Sequence, residues 1–97
     1  MLPGLGGMME RAKKMREELA QETVEFSAGG GMVVARMNGR LELLSLKIEK
    51  TLIDPADPET LQDVVAAAVN GALKKAQELA QAKLSGMLGF DVSGLLG

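Results

Sequence analysis

The stretch "IDPADPETLQDVVAAAVNGALKKAQELAQAKLSG", residues 53–86, constrains the fold more than any other part of the chain. Asp57 is a natural helix N-cap, Pro58 suits the first helical position, and Glu59 complements the positive end of the helix dipole. Apolar residues then recur at helical spacing to about Ser85, where Gly86 is placed to close the helix. A helix of roughly 28 residues is about 42 Å long. Leu61, Val65, Ala68, Val69, Ala72, Ala76 and Leu79 share its wide apolar face, with Asp63, Asn70, Lys74, Gln77 and Gln81 opposite. Whatever precedes this helix has to cover a face of that length.

What precedes it is short. Residues 8–22, "MMERAKKMREELAQE", place Met8, Ala12, Met15 and Leu19 on one narrow apolar stripe, which predicts a first helix. "TVEFSA", residues 23–28, switches to the alternation of a half-buried strand. A second strand-like run, "MVVARM", leads to Asn38-Gly39, the dipeptide favoured in type I′ hairpins, and "RLELLSLKIE" follows. Within that third run the apolar phase changes near Leu43-Leu44, which predicts a β-bulge. The expected fold is therefore α+β, in the order α-β-β-β-α, with a three-stranded antiparallel meander and two flanking helices. It forms a single domain over residues 1–97, with an ordered core over about 8–86 and flexible ends at 1–7 and 87–97.

Gly29, Gly30 and Gly31 raise the question of a phosphate loop. Such a loop needs a helix N-terminus behind it, and here an apolar, β-branched strand follows instead. The glycines are read as a permissive hairpin connection. "GLGGMM", residues 4–9, opens a helix but follows nothing strand-like.

Composition removes other function classes. The 97 residues include no cysteine and no histidine, so disulfides, soft-metal sites and the usual catalytic triads are not expected. Phe26 and Phe90 are the two aromatic residues, too few for a base-stacking platform. Asp54 and Asp57 flank Pro55 as a paired carboxylate would, but turn and N-cap roles account for both. No enzyme activity, cofactor, metal or small-molecule substrate is expected. No run approaches the ~20 apolar residues of a membrane span. The first residues also lack the basic-then-apolar layout of a secretory signal, so the expectation is a cytoplasmic protein away from membranes.

Size argues for a second copy. Three strands cover about 15 Å across and about 25 Å along, so the long helix overshoots its own sheet. A symmetric homodimer would shelter the overhang, with Val65, Ala68, Val69, Ala72, Ala76 and Leu79 as the expected interface.

The first helix also carries Arg11, Lys13, Lys14 and Arg16 within six residues. Cations presented together bind phosphate by releasing condensed counterions. The bland alternative is a solvated face neutralised by Glu10–Lys14, Lys13–Glu17 and Lys14–Glu18 pairs at i,i+4 spacing. The net charge of −2 suits that alternative. A dimer favours the first, because two helices held apart would present eight basic groups. Lys74, Lys75 and Lys83 extend the positive surface if the two helices of a subunit lie side by side. For Lys75 and Lys83, snorkelling along the apolar flank is the other option. A competing function is a protein-interaction module gripping a partner through Met8, Met9, Met15 and Leu19.

The run "IDPADPETLQDVVAAAVNGALKKAQEL", together with "GGGMVVARMNG" and the Gly/Met segment before the charged helix, resembles the YbaB/EbfC nucleoid-associated proteins. The resemblance covers most of the chain. It implies the same α-β-β-β-α fold and a homodimer whose helices protrude like tweezers. It also implies duplex-DNA binding with little or modest sequence preference, mainly to the phosphate backbone. The implied role is nucleoid organisation or gene regulation in the bacterial cytoplasm. DNA contact carries over to Arg11, Lys13, Lys14 and Arg16. Two features depart from the family pattern. Gly71 stands where an acidic residue is common, at a cost to the helix of up to ~1 kcal/mol unless packing needs it. The first helix starts after a glycine-rich end and reads as short.

Overall fold

The computed structural model describes residues 3–88. Helix α1 (Pro3–Gln21) leads through Glu22 into strands β1 (Thr23–Ala28), β2 (Val33–Asn38) and β3 (Leu43–Ile48). A 3-10 turn (Lys50–Leu52) and a loop then lead to helix α2 (Pro58–Leu88). The strands form one antiparallel sheet in the order β1-β2-β3. Opposite Arg36 and Met37 the register passes from Ser45 to Leu43, so Leu44 is the extra residue of the expected bulge. The phase change in "LELLSL" has this as its cause.

The long helix starts as its sequence dictates. The Asp57 carboxylate accepts from the Thr60 N–H at 3.3 Å and from the Thr60 hydroxyl at 2.6 Å. Asp54 accepts from the Ala56 N–H at 2.9 Å, which bends the chain into the cap. At the other end the helix continues to Leu88, so Gly86 lies inside it rather than past its end. Helix α1 likewise begins at Pro3, five residues before the expected start, because Pro3 is preset for a first helical position and offsets the glycines behind it. The expectations for residues 1–2 and 89–97 lie outside the described residues. No described helix is long and apolar enough to cross a membrane.

Helix α2 lies over β1 and β2. Ala68, Ala72 and Ala76 repeat every fourth residue and are fully buried against Val33, Ala35 and Met37. These small side chains let helix and sheet approach closely, and Gly71 takes this furthest. A Cβ at Gly71 would collide with the Phe26 ring. That contact is the packing need that justifies a glycine in mid-helix. Strand β3 stays outside this cover. Leu43, Leu44 and Ile53 are 46%, 48% and 54% exposed, and among the described residues the largest fully buried side chain is only a valine, Val33.

Both hairpins use glycine, for different reasons. Gly29, Gly30 and Gly31 all have positive φ, between 65° and 90°, as the hairpin reading of these residues requires. Asn38-Gly39, by contrast, is not a type I′ turn. The residue with left-handed backbone is Leu41 (φ 65°), and the loop closes with Leu41 N–H donating to Asn38 C=O at 3.0 Å. The Asn38 side-chain oxygen accepts from the Arg40 and Glu42 N–H groups at 2.9 and 3.1 Å. Gly39 is needed for closeness: a Cβ there would sit 2.9 Å from the Leu19 carbonyl oxygen of α1.

Candidate nucleic-acid interface

That close approach fixes the base of α1. The last carbonyls of a helix have no partner within the helix. Here the β2–β3 turn supplies one: Gly39 N–H donates to the carbonyls of Leu19 and Glu22 at 2.8 and 3.0 Å. The Asn38 amide adds a weaker bond to the Ala20 carbonyl at 3.4 Å. Leu19 is buried over the same turn. Beyond this anchor α1 leaves the body. Burial along its apolar stripe falls from Leu19 (buried) through Met15 (half-buried) to Ala12 and Met8 (exposed). The described fold measures 64 × 25 × 16 Å, and the long axis reflects the two helices running past the sheet.

Arg11, Lys13, Lys14 and Arg16 are all exposed on this projecting part. Lys13 and Arg16 line one flank of the apolar stripe with Met9 and Ala12. Arg11 and Lys14 line the other flank, beside Met15 and Glu18. None of the three i,i+4 pairs closes as an ion pair. Among the described residues the ion pairs run from Lys83 of α2, to Glu22 at 3.1 Å and to Glu18 at 3.5 Å. The two carboxylates nearest the arm's base are thus engaged from the neighbouring helix, and the cations are left to solvent. Hydrogen bonding to Glu22 raises the Lys83 pKa above the ordinary lysine value against a smaller opposing effect of desolvation; the charges of Glu22 and Glu18 add to the rise.

The lysines of α2 do not all join this cluster. Lys75 donates to the Glu25 carbonyl on the edge strand β1 at 3.0 Å, and its ammonium lies 5.8 Å from the centroid of the Phe26 ring. It guards the β1 edge. Lys74 is exposed nearby. Leu84, which lines a groove of about 350 Å³ with Ala12, Met15, Arg16 and Leu19, stands about 15 Å further along α2 than Lys74. The structure therefore keeps Lys74 and Lys75 beside the sheet and the α1 cations on the arm.

The six residues expected at a dimer contact divide in two. Ala68, Ala72 and Ala76 have no exposed surface left to give to a second copy, because the chain's own sheet fills that face. Val65, Val69 and Leu79 are only half-buried. Val65 and Val69 fall on the flank of α2 turned away from the Gly71–Phe26 contact and toward β3. Leu19, expected at a protein-docking surface, is buried at the arm's base, whereas Met8 and Met9 are 62% and 67% exposed. Sequence reasoning missed the anchoring turn and the apolar border of β3. The bulge signal at Leu43-Leu44 was the one hint of that border.

The YbaB/EbfC DNA-binding family profile matches residues 1–90. The chain belongs to that family. Among its relatives, a nucleoid-associated protein of Caldanaerobacter subterraneus is 52% identical, the match covering 91% of this chain and 80% of the relative. Another, from Syntrophobacter fumaroxidans, is 46% identical, over 91% of this chain and 81% of the relative. The fold is similar to the crystal structure of an uncharacterized protein from Helicobacter pylori. That match has a TM-score of 0.77 and 30% identity, over 87% of this chain and 88% of that one. In the YbaB/EbfC setting, a projecting helix with solvent-facing cations is the feature most suited to a polyanion.

Proposed function

We propose that the protein is a homodimeric nucleoid-associated protein that grips duplex DNA by its phosphate backbone through Arg11, Lys13, Lys14 and Arg16 of the two α1 arms. The observation that carries this is that these four cations are exposed and unpaired by the arm's own carboxylates. Family membership supports duplex DNA as the polyanion. Lys74 adds a secondary contact near the sheet, and Lys75 contributes field rather than a free ammonium. Nothing on the arm carries the Asn- or Gln-based readout of a recognition helix, so binding has little sequence preference. Nucleoid organisation or gene regulation in the cytoplasm is the matching role.

The second copy docks on the β3 side. The apolar border of Leu43, Leu44 and Ile53, with Val65 and Val69 of α2 beside it, is the surface a single subunit leaves bare. The β1 edge is guarded by Lys75, and no such guard covers β3. Pairing along β3 would set two arms on one body.

The test is fluorescence anisotropy with a labelled duplex at 50 mM salt. Replacing Arg11, Lys13, Lys14 and Arg16 by Ala abolishes binding while the circular dichroism spectrum is retained. Unchanged affinity in that variant refutes the assignment. The exposure of Met8 and Met9 favours a second reading, docking of a partner helix on the arm tip. Capture of a protein partner that survives nuclease treatment, lost in Met8→Ser/Met9→Ser, supports that reading.

A further inference from the structure

Four cations and four carboxylates lie between Glu10 and Glu22, so α1 and its hinge carry no net charge of their own. The positive excess of the arm has to come from elsewhere, and Lys83 is the residue that supplies it. Its ammonium meets Glu22 at 3.1 Å and Glu18 at 3.5 Å, and its side chain is only 29% exposed. The other Glu22 oxygen is buried and has no hydrogen-bond partner, so this carboxylate depends on Lys83 for compensation. Glu18 is one helical turn from Lys14, close enough to neutralise it if released. Glu22 is also the single residue between α1 and β1, where any swing of the arm begins.

We propose that Lys83 is a positioning residue for the arm: it holds Glu18 and Glu22 away from the α1 cations and pins α1 to α2. It does not touch nucleic acid itself. The inference rests on the arm being the DNA-binding element, and the two ideas fail in different ways.

The experiment is a cycle of variants. Lys83→Met keeps the apolar stem and removes the charge, and lowers duplex affinity about two- to fivefold, the scale of a half-exposed ion pair. The slope of log K against log salt stays as in the wild type, because no phosphate contact is lost. Lys83→Arg restores affinity. In a Glu18→Gln/Glu22→Gln background, Lys83→Met has no further effect. A slope that becomes shallower by about 0.9 identifies Lys83 as a direct phosphate contact and overturns the proposal. An equal loss in both backgrounds overturns it too. Hydrogen exchange reads the pinning without DNA: Lys83→Met speeds exchange of the amides at the base of α1 by a similar factor. Unchanged exchange there overturns the proposal, whereas failure of the wild type to bind any duplex overturns only the functional reading.

Discussion

Along α2 the residues turned toward the sheet are Ala68, Ala72 and Ala76, and the chain's own strands cover all three. Along α1 the corresponding stripe of Met8, Ala12, Met15 and Leu19 is covered only at its base. Both helices have an apolar face at the same period. The difference lies in side-chain size and in what the neighbours supply. Small residues at every fourth position bring α2 close to β1 and β2, and Gly71 takes the Phe26 ring. Long, flexible methionines flanked by cations do not close-pack in this subunit, and they leave α1 standing as an arm. Periodicity reports that a face is apolar; side-chain volume and flanking charge report whether the subunit itself will bury it.

The largest break of this contrast is a carboxylate placed on each face in turn. Ala72→Glu buries an unpaired charge and costs about 3–5 kcal/mol. That is a large share of a typical domain stability of about 5–15 kcal/mol. Ala12→Glu, on the exposed stripe, changes stability by no more than about 0.5 kcal/mol. Paired thermal melts check both. Equal effects would show that α1 is packed as tightly as α2.

Next in size is the bare border. Leu43→Lys raises the dimer dissociation constant about 30-fold, the scale of one interface hot spot. Sedimentation across a concentration series reads it, and an unaltered dimer places the second copy elsewhere. Gly71→Ala sharpens the packing argument. The helix gains up to ~1 kcal/mol of propensity, yet the Phe26 clash dominates and the protein loses about 1–3 kcal/mol net. A stabilised variant would show that the helix does not need that close approach.

Much of the body was legible because its signals are local. The Asp57-Pro58 start of α2, the glycine hairpin at Gly29–Gly31 and the bulge at Leu44 each follow from a few adjacent residues. Asn38-Gly39 was legible as a turn but not as its type, since its role depends on α1 carbonyls some 17 to 20 residues earlier. Ala68, Ala72 and Ala76 read as apolar and available, but availability depends on which sheet arrives first. The cations of α1 stand where the sequence places them. That Glu18 and Glu22 turn to Lys83 was not readable, because the pair spans more than sixty residues of chain.

The smallest expected effect concerns that ion pair. Lys83 has its pKa raised above the ordinary 10.5 by Glu22 and Glu18. A raised pKa contributes stability that is fully present below the unfolded value and is lost as pH rises through the folded one. The melting difference between the wild type and Lys83→Met is therefore constant from about pH 7 to 9 and shrinks only above about pH 10.5. A difference that vanishes nearer neutrality would mean that another group is responsible.

The central claim is that two arms of free cations meet duplex phosphates together. The most direct measurement is the wild-type slope of log K against log salt on a duplex of mixed sequence. Six or more phosphates neutralised by the pair of arms give a slope of about −5 or steeper, a fall of about 10³ between 50 and 200 mM salt. A slope near −1 would contradict the account, since it leaves room for about one phosphate contact and no second arm.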